Sequence, residues 1–352
     1  MGQLSQVAGV TRQIIKYGAL GIVAYIILTS FLKFTVQLWK KLHPPAPPPP
    51  TVAFGKLQAI VFPSSVSDRK FSYRLETPNG MLPKVGDRAT VYALPPKTAN
   101  LLALDHAKTL AKKLGFAEEP QQISADTYRF SKALPALLTL DFNLVYDTFT
   151  MKYQWPNDET ILTQKQFSSE AVLIKQTQQI LKEIGLLAPD LETGQTSVSF
   201  LRASANAFIP ALSLSEADFV KVDYFRASPE QNTPVVTPIP PNGNITFIFS
   251  GSDAKGKQIV LFKYHYFPVD FNSQATYPLK PVATAWDQVQ NGQAYVAAVS
   301  SKAADTIVIR RIYLGLYDSD QFQPYLQPVY VFQGDEDFVA YVPAVNSQWI
   351  KN

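Results

Sequence analysis

Between Lys16 and Lys33 the chain runs for sixteen residues, Tyr17 to Leu32, without a charge, and Ile14, Ile15, Phe34 and Val36 carry the apolar stretch past both lysines. About 20 residues cross a hydrocarbon core of ~30 Å, and lysines near the ends can reach back to the headgroups. This predicts a short N-terminal tail over 1–13 and a single transmembrane helix over 14–36. The residues after it, KFTVQLWKKLH, are bulky and basic and offer no small-residue cleavage site, so the segment reads as an uncleaved anchor. Trp39, Lys40 and Lys41 form the expected membrane-interface belt. Residues 44–50 then read PPAPPPP, which can form neither helix nor sheet ladder. In the polyproline II conformation, at about 3.1 Å per residue, this is a stiff spacer of roughly 20 Å, closing an interfacial segment over 37–50.

Splitting the composition at residue 50 sharpens what the rest can be. The 352 residues carry 32 basic and 28 acidic side chains, but the first fifty hold five bases (Arg12, Lys16, Lys33, Lys40, Lys41) and no acid. The body is therefore almost neutral, which argues against nucleic acid as a partner. With no cysteine and only His43, His106 and His265, disulfides, thiol chemistry and multi-histidine metal sites are excluded or hard to assemble. Two bases precede the apolar span and three follow it, so loop charge does not decide orientation. A short tail needs no translocation, and a cysteine-free, tyrosine-rich body suits an exterior surface. The expected localisation is the cell membrane, single-pass, with the C-terminal body extracytoplasmic.

Beyond Thr51 the dominant period is two. Leu138, Leu140, Phe142 and Leu144 alternate with polar residues, as do Phe149, Met151, Tyr153 and Trp155, which predicts half-buried antiparallel strands. The pattern returns around Val220, Ile245 and Val260, with SGSDAKGKQ as a hairpin turn that places Gly256 at positive φ, and again across the last ninety residues. Helical spacing predicts helices within 98–114, 169–184 and 281–290, each followed by a glycine suited to the C-terminal cap: Gly115, Gly185 and Gly292. The expected fold class is α+β, with antiparallel-sheet modules each packed by one helix. Their boundaries are 51–165, 166–270 and 271–352, and a loop-rich insertion spans 191–244.

In the C-terminal part, YHYFPVDFNSQATYPLKPVATAWDQVQNGQAYV leads to IVIRRIYLGLYD and then to YLQPVYVFQGDEDFVAYVPAV. This succession of helix with tryptophan, glycine turn, long strand pair and terminal ribbon resembles the PepSY-like ectodomain modules of YycH and YycI, membrane-anchored regulators of a bacterial cell-wall sensor kinase. The resemblance lies mainly in residues 260–345, and 85–160 share it faintly. It implies an extracytoplasmic, non-enzymatic, protein-binding role and brings no catalytic residues. The polyproline spacer and the insertion depart from that pattern.

The chain contains no GxSxG, HExxH, GxGxxG or complete GxxxxGK[ST], since the run GSDAKGK at 251–257 is followed by Gln258. No catalytic or cofactor-binding residue is therefore assigned, and no cofactor. His106 reads as a solvated helix position and His265 as a strand surface position. Two acidic turns remain, Asp318 with Asp320 and Asp335 with Glu336 and Asp337. If Asp318, Asp320, Asp335 and Asp337 converged, they would offer the oxygens that Ca²⁺ takes; otherwise they are solvated turns. Arg310 and Arg311 interrupt the apolar strand IVIRRIYL, so either one of them turns inward or the strand is an edge; an inward Arg311 is expected to form a structural ion pair with Asp287 on the preceding helix. Tyr313, Tyr317, Tyr325, Tyr330 and Tyr341 could line a recognition groove, and half-buried sheet positions explain them equally. The leading expectation is a non-enzymatic protein that binds another envelope protein or peptide to regulate or scaffold. Alternatives are an envelope or carbohydrate-processing enzyme using the acidic turns, or a structural or adhesive component.

Overall fold

A computed structural model of the chain describes residues 3–42, 48–98 and 100–351. His43 and Pro44, Pro45 and Pro47 of the expected spacer lie outside the described residues. The chain divides into two compact units, Met1–Pro49 and Pro50–Asn352. The first is built on α1 (Gln3–Leu42), a single helix. Within it Lys16–Lys41 has a mean hydropathy of 1.9 and none of it is buried, so it is long and apolar enough to cross a membrane. Two of its hydroxyls bond within the helix: Thr29 and Thr35 donate back to the carbonyls of Ile26 and Leu32 at 3.0 and 2.9 Å, which suits an apolar surrounding.

The second unit opens with β1 (Ser72–Leu75), β2 (Arg88–Ala93) and α2 (Ala103–Lys113). Next come β3 (Gln121–Gln122), β4 (Thr127–Ala133), β5 (Leu137–Asn143) and β6 (Thr148–Tyr153). Helices α3 (Glu170–Ile184) and α4 (Pro189–Glu192) lead into β7 (Thr196–Ser204), β8 (Ala207–Pro210), β9 (Phe219–Tyr224) and β10 (Val235–Val236). The chain ends with β11 (Ile245–Ser250), β12 (Ile259–Tyr264), β13 (Asp270–Pro278), α5 (Val282–Gln290), β14 (Tyr295–Ala298), β15 (Thr306–Tyr317), β16 (Tyr325–Gly334) and β17 (Val339–Pro343). The expected α+β class and the three expected helices are present. Each of those helices stops where Gly115, Gly185 or Gly292 takes positive φ (89°, 80° and 68°), a conformation that costs a residue with a Cβ about 1 kcal/mol or more.

Two sheets result. The first has nine strands in the order β3-β4-β5-β6-β12-β11-β9-β7-β8, every pair antiparallel. Its inner face carries Leu140, Phe142, Phe149, Phe262, Phe247 and Val222, against which α2 lays Leu110 and Ala111 and α3 lays Leu173 and Leu181. The Phe247 and Phe262 rings stack at 4.0 Å between centroids. Burying each such ring stabilises the fold by ~1.5–3 kcal/mol. The second sheet runs β1-β15-β16-β17-β14, with β10 also beside β15 and β2 bridging β16 to β13. Only β1 and β10 lie parallel to their neighbour β15. Helix α5 covers one face through Ala285 and Val289, and Phe62 covers the other, its ring 4.8 Å from Tyr295 and 4.9 Å from Tyr317.

The three sequential modules are not what forms. β6 pairs with β12 across the boundary expected at 165/166, so strands from both sides share one sheet. β1 and β2, from the first expected module, join the C-terminal sheet instead. The segment 191–244 is loop-rich only in part: residues 225–244 carry just the two-residue β10, whereas 196–224 supply β7, β8 and β9 to the nine-stranded sheet. In β7 the alternation of Ser197, Val198, Ser199 and Phe200 is reversed at Leu201 and Arg202, which shortens the strand-like run in the sequence.

Candidate functional site

Several residues singled out from the sequence turn out to hold the fold together. Tyr317, Tyr330 and Tyr341 are buried at 3%, 1% and 1% exposure, and they point to opposite faces of the second sheet. Tyr330 donates to the carbonyl of Lys280, and Tyr341 to that of Thr237. Tyr313 and Tyr325 are half-buried. No common tyrosine groove exists, because β16 is central and both of its faces are covered.

The acidic turns do not meet either. β15 and β16 are antiparallel, with Tyr317 opposite Gln327 and Ile309 opposite Gly334, so Asp318 and Asp335 follow opposite ends of the strand pair. Eight residues of strand separate those ends by roughly 25 Å. Asp318 is bonded to Arg226, Asp320 lies near Lys263, and Asp335 pairs with Arg310 at 2.7 Å. Asp337 takes positive φ in the turn between β16 and β17. Among the described residues no group of three or more His, Asp or Glu could hold a metal ion.

Arg311 does not turn inward. The pairing of β15 with β16 slips between Ile309 and Arg311, and this bulge leaves both Arg310 and Arg311 exposed. Arg310 bonds Asp335 and Glu76, while Arg311 lies over the Tyr313 ring at 4.7 Å rather than against Asp287. Trp39, Lys40 and Lys41 occupy the last turns of α1. His106 is exposed on α2, as its spacing predicts.

His265 is half-buried rather than on the open strand surface. The 318–322 turn closes over it: its Nε2 lies 3.3 Å from Thr150 Oγ1 and its Nδ1 3.2 Å from the Asp320 carbonyl. Burial, with repulsion from Lys263, lowers its pKa from an ordinary 6.5 to about 4. Between those values the unfolded chain holds a proton that the folded chain does not, so stability falls as pH drops below 6.5 toward 4. His265→Asn is expected to remove about 1–3 kcal/mol of that acid-side loss. Urea unfolding at pH 7 and pH 4.5 measures it, and an unchanged difference between the two pH values would refute it.

The strongest polar node was invisible in the sequence. Arg226, which follows β9, has a side chain at 0% exposure, bonded to Asp190 of α4 at 2.6 Å and to Asp318 at 3.4 Å. It also donates to the Phe267 carbonyl at 2.6 Å and lies 4.5 Å from the centre of the Tyr266 ring. Tyr266 in turn donates to the other oxygen of Asp190 at 2.7 Å. Burial would lower the guanidinium pKa, but the Asp318 and Asp190 carboxylates outweigh it and hold it above its ordinary value. For Asp318 burial dominates and pushes the carboxyl up despite Arg226. This node joins the two sheets; it offers no open face to a ligand.

The open feature lies on the outer face of the nine-stranded sheet. There the pairing aligns two rows of side chains. One is Ser199–Lys221–Ile248–Leu261–Lys152, and the next is Ser197–Asp223–Thr246–Lys263–Thr150–Asp141. Over these rows is a cleft of about 650 Å³, floored by Lys221, Thr246, Ile248, Leu261 and Lys263. Its walls are Phe200, Leu201, Phe208 and Pro210 of the β7–β8 hairpin on one side and Pro241, Asn242 and Gly243 on the other. Gly243 is required there, because a Cβ would stand 2.5 Å from the Tyr224 carbonyl oxygen. Clefts of ~300–1,000 Å³ with apolar walls and a few polar groups are the usual form of small-ligand sites.

No family model matches the chain, and no curated protein matches it. Among solved structures, an uncharacterized protein from Eubacterium rectale ATCC 33656 is similar at a TM-score of 0.35 and 10% identity, over 73% of this chain and 82% of that one.

Proposed function

We propose that this chain is a single-pass membrane protein whose extracytoplasmic body binds another envelope protein or peptide and so regulates or scaffolds it, without catalysing a reaction. The observation that carries the reading is α1: a fully exposed apolar helix, Lys16–Lys41, attached to a compact body with its own cores. A helix of this length and composition matches a hydrocarbon core of ~30 Å. The resemblance of residues 260–345 to the PepSY-like modules of YycH and YycI supports a regulatory role beside a sensor protein. Placing a photo-crosslinking amino acid at exposed positions of the body in living cells tests this. Repeated capture of one envelope protein is the expected outcome. Capture of none, together with turnover of a glycan or peptide by the purified full chain, would contradict it.

A further inference from the structure

We propose that the cleft on the outer face of the nine-stranded sheet is a binding site for a single-chain amphiphilic anion, a small molecule with one anionic head and an aliphatic tail. The chemistry of the walls selects this class. Two lysines, Lys221 and Lys263, are among the floor residues, and no carboxylate stands among the described lining residues. Asp223 and Asp320, which touch those amines, are not part of the lining. Lys221 is held from behind by Asp223 at 2.8 Å and Asn242 at 2.6 Å, which leaves one of its three N–H groups to point elsewhere. Lys263 has Asp320 only at 3.4 Å, longer than the ~2.7–2.9 Å of a charge-assisted bond, so its donors are under-used.

Thr246 lies between the two amines in the pairing, one strand from each, and supplies polar surface for the head. Ile248, Leu261, Leu201 and Phe208 give the tail a continuous apolar path. The cleft volume of about 650 Å³ is that of a site for one small ligand. A cationic amphiphile would meet the lysines with like charge, and a small anion alone would leave the apolar wall uncovered. This site is independent of the partner-binding reading and would remain if no protein partner were captured.

The test uses the full chain in neutral phosphatidylcholine nanodiscs, with octanoate as the probe. A brief acetylation pulse followed by peptide mass spectrometry reads the reactivity of each lysine. Octanoate at several times its dissociation constant is expected to slow acetylation of Lys263 about fivefold, while Lys175, exposed on α3, reacts unchanged. Acetate and octyltrimethylammonium are expected to give no protection. Leu261→Asn is expected to remove the octanoate effect. If that variant loses its fold, seen as fast reaction of every lysine, Lys263→Met takes its place and the weakened protection is read at Lys221. No slowing by octanoate, equal slowing at Lys175, or equal slowing by the cationic probe would each overturn the proposal.

Discussion

Replacing Arg226 with methionine is expected to destabilise the body by about 3–5 kcal/mol, since it leaves two carboxylates in the interior without their counter-charge. Asp190 and Asp318 belong to α4 and to the end of β15, and Arg226 itself follows β9, so one side chain ties elements of both sheets. A denaturant titration of the full chain measures the effect. The comparison is Arg69→Ala, which breaks an ion pair to Asp305 whose two side chains are 42% and 91% exposed. That exposed pair is worth ~0–1 kcal/mol. Equal losses from the two substitutions would mean that the Arg226 node is solvated and does not hold the sheets together.

The second large effect concerns the anchor. Val23→Arg with Ile27→Arg puts two cations one turn apart near the middle of Lys16–Lys41. Each costs ~2.5–3.5 kcal/mol of insertion free energy at a helix centre, so the pair should move the chain out of membranes. After carbonate washing, the unmodified chain is expected in the pellet and the double variant in the supernatant. Retention of the double variant would show that something other than this helix holds the protein there.

The anchor, the strands around Leu140 and Phe149, and the three glycine-stopped helices could be read from the sequence because their signals are local. Each rests on side-chain period and on a residue that ends the element, all within a window of some fifteen positions. The rest depends on partners far along the chain. Arg226 meets Asp190 and Asp318, which are 36 and 92 positions away. His265 becomes half-buried only because Asp320, 55 positions on, folds over it. The bulge at Ile309 and Arg311 is a property of the strand pair, so the sequence IVIRRIYL suggested an inward arginine where the backbone instead turns both outward. The cleft was hidden for the same reason. Lys221 and Lys263 each look like an ordinary polar strand position until β11 brings β9 and β12 to either side of it.

Strand β7 was hidden in another way. Ser197 to Phe200 alternate as a strand should, but Leu201 and Arg202 reverse the pattern, so only a short run of the nine residues matches a strand. Conversely, the tyrosines of β15, β16 and β17 drew attention as a recognition surface, although in a sheet covered on both faces a tyrosine needs only one acceptor for its hydroxyl. Tyr330 and Tyr341 each have one, in the carbonyls of Lys280 and Thr237.

The absence of cysteine from the sequence makes the central claim directly measurable. Ser301→Cys places one thiol on an exposed turn before β15, with no background from any other residue. Intact cells are treated with a membrane-impermeant maleimide, and lysed cells serve as the total. An anchored chain with its body outside is expected to label fully in intact cells while sedimenting with the membranes. Labelling only after lysis, or recovery of the labelled chain free of the membrane, would contradict it.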